Sequence, residues 1–375
     1  MTRRSLPTAL LACLLAPGSF LCSATAQPPG PAPSPAPSPN YKPEAGGFDV
    51  GTVETLTLRD DRRSKDLEVL VRFPRAKAGS PAGPFPMVIF SHGAGGSKAA
   101  FPELTRAWAS HGYVVVLPTH SDSILQRRRD GKDTPAITTE QGRRDLRGQV
   151  DLNDRVADVK FILDSIEAIE SRIDGLRNAD GTGRIDRSRL AMAGHSAGAF
   201  TTQLAVGVRA RGLMIEGRRS LELRSIADER LRCGLIISGQ GTASPMLDAS
   251  SWDRLAVPIL AVSGSLDTSP PQMGNETPES RTHPFVHSRG TAKGGPPAYL
   301  LYIEGATHSS YGGRATSSLL GEKPTTDVKL IQRAVLDATL AMLDAHLRDD
   351  AGARDYLAGD RLASVIPGKV RWERK

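Results

Sequence analysis

The sequence predicts an α/β fold with a mostly parallel central sheet and helices on both faces. From residue 86 onward, short apolar runs typical of buried strands alternate with longer segments whose apolar residues recur at helical spacing. Strands that alternate with helices in this way form parallel sheets that are covered on both sides. The chain has 375 residues, which is enough for one large domain with a sizeable core.

The elements of this fold can be assigned in chain order. Residues 54–58 and 67–73 alternate between apolar and polar side chains, as half-buried strands do, and residues 59–62 predict a turn between them. These two strands are expected at an antiparallel edge of the sheet. The later predicted strands are 86–90, 113–117, 190–193, 258–263 and 298–303, and the predicted helices are 101–110, one long helix at 150–173, 200–208 and 327–347.

The first 46 residues are expected to lie outside the folded domain. Residues 1–26 have the layout of an export signal, in which two arginines precede an apolar stretch and residues 24–26, Ala-Thr-Ala, form a cleavage site. Residues 27–46 repeat Pro-Ala-Pro-Ser, which predicts an extended linker. The domain then spans residues 47–375. The sequence therefore predicts an exported protein without a transmembrane segment in its mature chain.

Charge and cysteine content narrow the classes of partner. The net charge is +7, and removal of the export signal takes away two arginines and no acidic residue, leaving +5. Basic clusters at residues 127–129 and 143–144 contain no interleaved aromatic side chains, so nucleic acid is not an expected partner. The mature chain keeps only Cys233, which cannot form an intramolecular disulfide. Because Cys233 precedes the apolar run at 234–238, it is predicted to be a buried strand residue.

Two segments are too long to be minimal connections. Residues 120–149 are polar and basic, and residues 272–297 are rich in Gly, Pro and Thr. Both are expected to emerge at the carboxyl edge of the sheet as loops that shape a substrate site. His120 and Asp122 either line that site or simply begin a polar loop.

The strongest chemical signal is the pentapeptide Gly-His-Ser-Ala-Gly at residues 194–198. It follows a predicted strand and precedes a predicted helix, and a nucleophilic serine requires this strand-turn-helix context. Ser196 is the predicted nucleophile, exposed on a strained turn. Gly194 and Gly198 remove the Cβ atoms that would crowd such a turn. His195 is predicted to be a packed, hydrogen-bonded residue rather than a catalytic one.

A small, glycine-rich loop at residues 91–96, Ser-His-Gly-Ala-Gly-Gly, follows the strand at 86–90. Such a loop allows backbone N–H groups to approach a developing oxyanion closely. The N–H groups of Ala94 and of Ala197, the residue after the nucleophile, are the predicted donors. Gly93 is the alternative to Ala94.

An acid and a base follow two later strands. Asp267 comes just after the strand at 258–263, at the edge where open α/β sheets place their sites. Glu304 and Asp253 are less well placed alternatives for the acid. His308 lies in the loop after the next predicted strand and is the candidate general base.

The nucleophile, acid and base occur in the order Ser196, Asp267, His308, which is the order of α/β-hydrolases. Within that superfamily the chain resembles the bacterial "predicted dienelactone hydrolase" group, whose relatives include chlorophyllase-like and platelet-activating-factor-acetylhydrolase-like esterases. True dienelactone hydrolases have a cysteine nucleophile, so the serine implies an ordinary carboxylesterase or lipase. The resemblance runs roughly from residue 49 to 347 and is carried by residues 85–93, 111–116 and 193–198.

The resemblance implies that residues 47–375 form a catalytic domain that hydrolyses a small-molecule or lipid ester through an acyl-enzyme. No metal or organic cofactor is required for this chemistry. Two alternatives stay open from the residues alone. The chain could be an exported, non-catalytic binding protein on the same fold, or a hydrolase of amides, thioesters or polyesters.

Overall fold

The computed structural model describes residues 41, 43, 46–75, 83–312 and 323–375. The expected export signal at 1–26 and nearly all of the expected linker at 27–46 lie outside these residues. The described part forms a nine-stranded sheet with flanking helices and a separate two-stranded hairpin. No helix among the described residues is long and apolar enough to span a membrane.

The strands are β1 (Asp49–Asp60), β2 (Lys65–Arg75), β3 (Phe85–Ser91), β4 (Val114–Pro118), β5 (Ile185–His195), β6 (Met214–Ile215), β7 (Arg218–Arg219), β8 (Leu231–Ile237), β9 (Ile259–Leu266), β10 (Ala298–Thr307) and β11 (Val370–Arg374). In the large sheet their order is β1-β2-β4-β3-β5-β8-β9-β10-β11, and β6 pairs with β7 in the hairpin. The six inner strands are parallel, whereas β1, β2 and β11 pair antiparallel at the edges. The mostly parallel sheet and its first antiparallel edge are confirmed, and the turn between β1 and β2 lies at 61–64 rather than 59–62.

The helices are α1 (Pro102–Ser110), α2 (Ile124–Arg129), α3 (Glu140–Gln149), α4 (Leu152–Asp164), α5 (Ile166–Ser171), α6 (Ala197–Ala205), α7 (His283–Val286), α8 (Val328–Leu347) and α9 (Ala351–Ala358). Successive strand residues enter opposite cores, because strand side chains alternate between faces. Met87 and Ile89 of β3 pack with α4, α5 and α6, whereas Val88 and Phe90 pack with α1, α8 and α9. The prediction of helices on both faces is confirmed.

The prediction of one long helix at 150–173 is wrong. The segment forms α4 and α5, separated at Ser165, whose N–H bonds to the carbonyl of Ile162 in a tighter turn than an α-helix makes. The Asp151 side chain caps the start of α4 by accepting from the N–H of Asp154. Apolar spacing could not show the break, because both helices bury residues in the same core.

The prediction that residues 120–149 form a loop is also wrong, since α2 and α3 lie within this segment. Their signal is weak because α2 buries none of its residues and α3 buries only Gly142 and Leu146. The starts are instead marked by caps, with Ser123 accepting from the N–H of Gln126 and Thr139 from that of Gly142. Residues 272–297 hold only the short α7 and two 3-10 turns.

Candidate active site

Ser196 lies on a strained turn between the last residue of β5 and the first residue of α6. Its φ of 57° and ψ of −119° place a non-glycine residue where L-amino acids are rarely found. A Cβ atom on Gly194 would overlap the carbonyl oxygen of Gly198, and one on Gly198 would overlap the carbonyl oxygen of Ser91. The two glycines therefore allow the turn to close on itself and against the end of β3.

The structure brings the three predicted side chains of the site together. The Nε2 atom of His308, in the loop after β10, lies 3.0 Å from Ser196 Oγ. The Nδ1 atom of the same ring lies 2.9 Å from Oδ1 of Asp267, which follows β9. The arrangement can move a proton from the serine hydroxyl to the imidazole while the carboxylate fixes the ring.

The carboxylate of Asp267 is fully buried and held by several donors. The Ser238 hydroxyl donates to Oδ1 at 2.8 Å and the Tyr311 hydroxyl donates to Oδ2 at 3.0 Å. The Arg281 Nε atom lies 2.8 Å from Oδ1. Burial alone would raise the pKa of Asp267, but the charge of Arg281 and the bonds from His308 and Ser238 outweigh it and lower the pKa to about 2. Asp267 is therefore ionised at neutral pH.

Neither alternative acid reaches the base. Glu304 lies near the end of β10, where its carboxylate accepts a hydrogen bond from Ser265 at 2.8 Å. Asp253 is exposed and ends a short 3-10 turn at Ala249–Trp252. Asp267 is thus the carboxylate that contacts His308 within the described structure.

His195 supports the base from the other side. Its Nε2 atom lies 2.8 Å from the carbonyl oxygen of His308, and the two rings are tilted by 44° with their centroids 4.7 Å apart. Burial, followed by the nearby His308, lowers the pKa of His195 to about 3, so its ring is neutral and Nε2–H donates. The prediction of a packed, hydrogen-bonded histidine is confirmed.

Three residues beside Ser196 have backbone N–H groups without an acceptor among the described residues. Within the part of the chain that the structure describes, the N–H groups of Gly93, Ala94 and Ala197 make no hydrogen bond. All three residues line the cleft that contains Ser196 and His308. A Cβ on Gly93 would lie 3.4 Å from the Cβ of Ser196, so this loop touches the nucleophile. These groups have the chemistry of oxyanion donors.

The cleft around Ser196 has a volume of about 680 Å³. Its walls are mostly apolar, and its lining includes the charged residues Arg143, Arg147 and Glu276. Both long segments that the sequence singled out contribute to it, through α3 and through residues 273–276. The main apolar lining residues are Phe101, Leu146, Val150, Leu152, Phe200, Pro245, Met246 and Met273.

Several residues around the site were not anticipated. His120 and Asp122 do not line the cleft but are buried beneath the loop after β3, where Asp122 pairs with Arg155. Arg281 and Tyr311 reach Asp267 from segments that carry no motif. Ser238 follows the buried strand β8, and that position was the one available signal for it.

Cys233, as predicted, is buried in β8, and burial raises the pKa of its thiol to about 12.

The fold is that of α/β-hydrolases, and comparisons with known proteins agree with it. The family described as platelet-activating factor acetylhydrolase, isoform II, matches residues 71–239. A platelet-activating factor acetylhydrolase from Cavia porcellus is 24% identical over 70% of this chain, which spans 58% of that protein's length. A ferulic acid esterase structure from Streptomyces cinnamoneus has 16% identity and a TM-score of 0.51, covering 81% of this chain and 91% of its own.

The structural likeness to the ferulic acid esterase bears on the fold alone, because its sequence identity is so low. Together with the family match and the mostly parallel sheet, it shows that the chain has the α/β-hydrolase fold. The matching family and the relative are both named as platelet-activating factor acetylhydrolases, so the chain is similar to proteins described as acetylhydrolases.

Proposed function

We propose that this protein is an exported serine carboxylic-ester hydrolase that acts through Ser196, His308 and Asp267. The observation that carries the proposal is the pair of contacts made by one imidazole. His308 is 3.0 Å from the Ser196 hydroxyl through Nε2 and 2.9 Å from the ionised Asp267 through Nδ1. A nucleophile, a base and a group that orients the base are the parts that acyl transfer requires.

The proposed reaction proceeds in two halves. Ser196 Oγ attacks the ester carbonyl carbon while its proton moves to Nε2 of His308, and the carbonyl π electrons move to oxygen. As the tetrahedral intermediate collapses, the C–O bond to the alcohol breaks, and His308 returns its proton to the departing alkoxide. Water then attacks the acyl-enzyme in the same way and releases the carboxylic acid and free Ser196.

The oxyanion of each intermediate is assigned to the N–H groups of Ala197 and Ala94, with Gly93 as the alternative to Ala94. Ala197 is the first residue of α6, so its N–H has no partner within the helix and lies at the positive end of the helix dipole. A single oxyanion donor contributes roughly 3–4 kcal/mol to transition-state stabilisation in enzymes where it has been removed.

The substrate class follows from the cleft and the relatives. Mostly apolar walls suit the carbon chain of a small-molecule or lipid ester. The family and the relative are both named as acetylhydrolases, which favours a short acyl group at Ser196. Acetate esters are therefore the first substrates to test.

The test is hydrolysis of p-nitrophenyl esters from acetate to palmitate by purified protein. Ser196→Ala should lose at least about 10⁴-fold in kcat, whereas Ser188→Ala on the same strand should keep wild-type rates. Ser188 is exposed on β5 and is the matched control for a serine-to-alanine change. Full turnover by Ser196→Ala, or no turnover of any ester by the folded wild-type protein, would contradict the proposal.

A further inference from the structure

A fully buried arginine, Arg155 of α4, lies beneath the loop that follows β3. Its Nη1 atom donates to the carbonyl oxygen of His92 at 2.7 Å, and its Nη2 atom donates to that of Gly93 at 3.3 Å. The same guanidinium forms a two-point pair with Asp122, through Nε at 2.9 Å and Nη2 at 2.8 Å. One planar side chain thus binds two successive peptide carbonyls and one carboxylate.

Asp122 also bonds to the loop directly. Its Oδ2 atom accepts the backbone N–H of Gly95 at 2.9 Å. Burial would raise the pKa of Asp122, but the charge and hydrogen bonds of Arg155 outweigh it and hold the pKa well below its ordinary value. The pair is therefore ionised, and it fixes the loop at residues 92, 93 and 95.

Because the peptide unit is planar, these contacts determine the direction in which the candidate oxyanion donors point. In a planar trans peptide the C=O and N–H bonds point in opposite directions. The carbonyl of His92 shares its peptide with the N–H of Gly93, and the carbonyl of Gly93 shares its peptide with the N–H of Ala94. Arg155 donates to both carbonyls from the buried side, and the Gly93 carbonyl also bonds to His92 Nδ1 at 2.6 Å and to the N–H of Gly96 at 3.1 Å. Both N–H groups therefore point to the opposite side, where these residues line the cleft.

A second set of hydrogen bonds and ion pairs lies next to the Arg155–Asp122 pair. His120 bonds through Nε2 to the Ser91 hydroxyl at 2.8 Å and through Nδ1 to Asp158 at 2.8 Å. Asp158, on α4 one turn after Arg155, also pairs with Lys65 at 2.7 Å. The hydrogen bonds from Ser91 through His120 to Asp158 thereby connect α4 to the end of β3 one turn beyond Arg155.

We propose that Arg155 and Asp122 are positioning residues of the oxyanion hole, which act by aiming the N–H groups of Gly93 and Ala94 at the reacting carbonyl. This inference rests on the proposed ester hydrolase function. It assigns a catalytic consequence to a buried ion pair that stability alone does not explain, since desolvation of such a pair commonly offsets its Coulomb attraction.

The experiment compares Arg155→Lys with Arg348→Lys. Lysine keeps the charge but lacks the planar fork, so it cannot bind both carbonyls and Asp122 at once. Arg348 is the matched control, because it also donates to two successive carbonyls, those of His111 and Gly112, and pairs with Asp344. Activity is expressed per active site, titrated to completion with a fluorophosphonate, so that unfolded protein is not counted.

Arg155→Lys is expected to lower kcat about 10-fold to 100-fold at nearly constant KM. Its affinity for a trifluoromethyl ketone, which forms a tetrahedral oxyanion on serine, should fall by the same factor. Arg348→Lys should match the wild type in both measurements. Wild-type kcat in Arg155→Lys, or an equal loss in Arg348→Lys, would overturn the inference.

Asp122→Asn provides a second variant if Arg155→Lys does not fold. The amide keeps an oxygen for the N–H of Gly95 but loses the charge that orients Arg155, so a smaller loss in kcat and in ketone affinity is expected. Unchanged kcat per site in folded Asp122→Asn would then overturn the inference. Failure of the proposed function itself looks different, because the wild-type protein would neither turn over esters nor react with the fluorophosphonate.

Discussion

Two arginines of this protein each bind two successive backbone carbonyls, at opposite edges of the sheet. Arg155 lies at the edge where the parallel strands end, and Arg348 lies at the edge where they begin. Arg155 binds the two carbonyls that follow β3, and Arg348 binds the two that precede β4. Each guanidinium also pairs with an aspartate. Arg155 uses Nη1 and Nη2 for its carbonyls and contacts Asp122 at two points, whereas Arg348 uses Nη2 for both carbonyls and Nη1 for Asp344. The larger difference lies in the N–H groups of the restrained chain.

At the Arg348 edge the chain satisfies its own donors. The N–H of Gly112 bonds to the carbonyl of Ala109 at 3.0 Å, and that of Tyr113 bonds to the carbonyl of Trp108 at 3.2 Å. At the Arg155 edge the corresponding groups, those of Gly93 and Ala94, have no acceptor among the residues that the structure describes. The same restraint closes a helix end in one place and presents unpaired donors to a cleft in the other.

The two arginines also differ in burial. The Arg155 side chain has no exposed surface, whereas that of Arg348 is 30% exposed. A partly exposed pair contributes little to stability, and a fully buried one is weak evidence for stability because of its desolvation cost. The contrast teaches that a buried pair at the edge of a reactive cleft is better explained by orientation than by stability.

The largest effect on kcat is expected from Asp267→Asn, and Asp344→Asn is its counterpart at the Arg348 edge. Asp267→Asn should lower kcat by about 10⁴-fold, because an amide can favour the wrong imidazole tautomer and cannot stabilise the imidazolium. Asp344→Asn, in the Arg348 pair, should lower the unfolding free energy and leave kcat per active site unchanged. Steady-state kinetics on an acetate ester measure both. Comparable rates in the two variants would remove the distinction between the edges.

A pair of glycine-to-alanine variants tests how closely the turn at Ser196 packs against the loop after β3. An alanine Cβ at Gly198 would overlap the carbonyl oxygens of Ser91 and His92, which are backbone atoms of the loop that Arg155 restrains. Gly198→Ala should therefore lower the unfolding free energy by about 1–3 kcal/mol and reduce kcat. Urea unfolding and ester hydrolysis are the measurements.

Gly148→Ala is the control for that change. Gly148 lies in α3 with open space around its Cβ position. Alanine there should raise the unfolding free energy by about 0.5–1 kcal/mol through helix propensity and leave kcat unchanged. If Gly198→Ala also raised the unfolding free energy and left kcat unchanged, the close packing of the turn at Ser196 against the loop would be contradicted.

The smallest effect expected is the pH dependence that Asp267 imparts to stability. Its pKa is lowered in the folded state from 3.8 to about 2, so the ionised form stabilises the fold fully above the ordinary pKa, and this contribution is lost as the pH falls toward 2. The difference in unfolding free energy between wild type and Asp267→Asn should shrink by about 1 kcal/mol between pH 6 and pH 3. Urea unfolding at the two pH values measures it, and a constant or growing difference would contradict the lowered pKa.

The elements that carry the motif could be predicted from the sequence because their signals are local. A continuous apolar run followed by glycine and a polar residue marks a buried strand and its carboxyl end. That pattern located Ser196, Asp267 and His308, and the parallel order of the strands explains why three strand ends meet. The prediction of the strand-turn-helix at Ser196 needed the pentapeptide at 194–198, the apolar run before it and the helix-forming segment after it.

The supporting residues could not be predicted because their partners are distant in the chain. Arg155 lies on a helix with ordinary apolar spacing, and its contacts with the loop after β3 depend on how α4 packs. Arg281 reaches Asp267 from a segment without strong periodicity. The break at Ser165 and the polar helix α3 were missed because apolar spacing is blind to caps and to helices that bury few residues.

The assignment of Ser196 as the nucleophile is tested most directly by finding the residue to which a fluorophosphonate attaches. The protein is treated to completion, its intact mass is measured, and the modified peptide is sequenced by mass spectrometry beside Ser196→Ala. One adduct per chain is expected, located on Ser196 and absent from the variant. An adduct on another residue, or an unmodified protein that is shown to be folded, would contradict the assignment of Ser196 as the nucleophile.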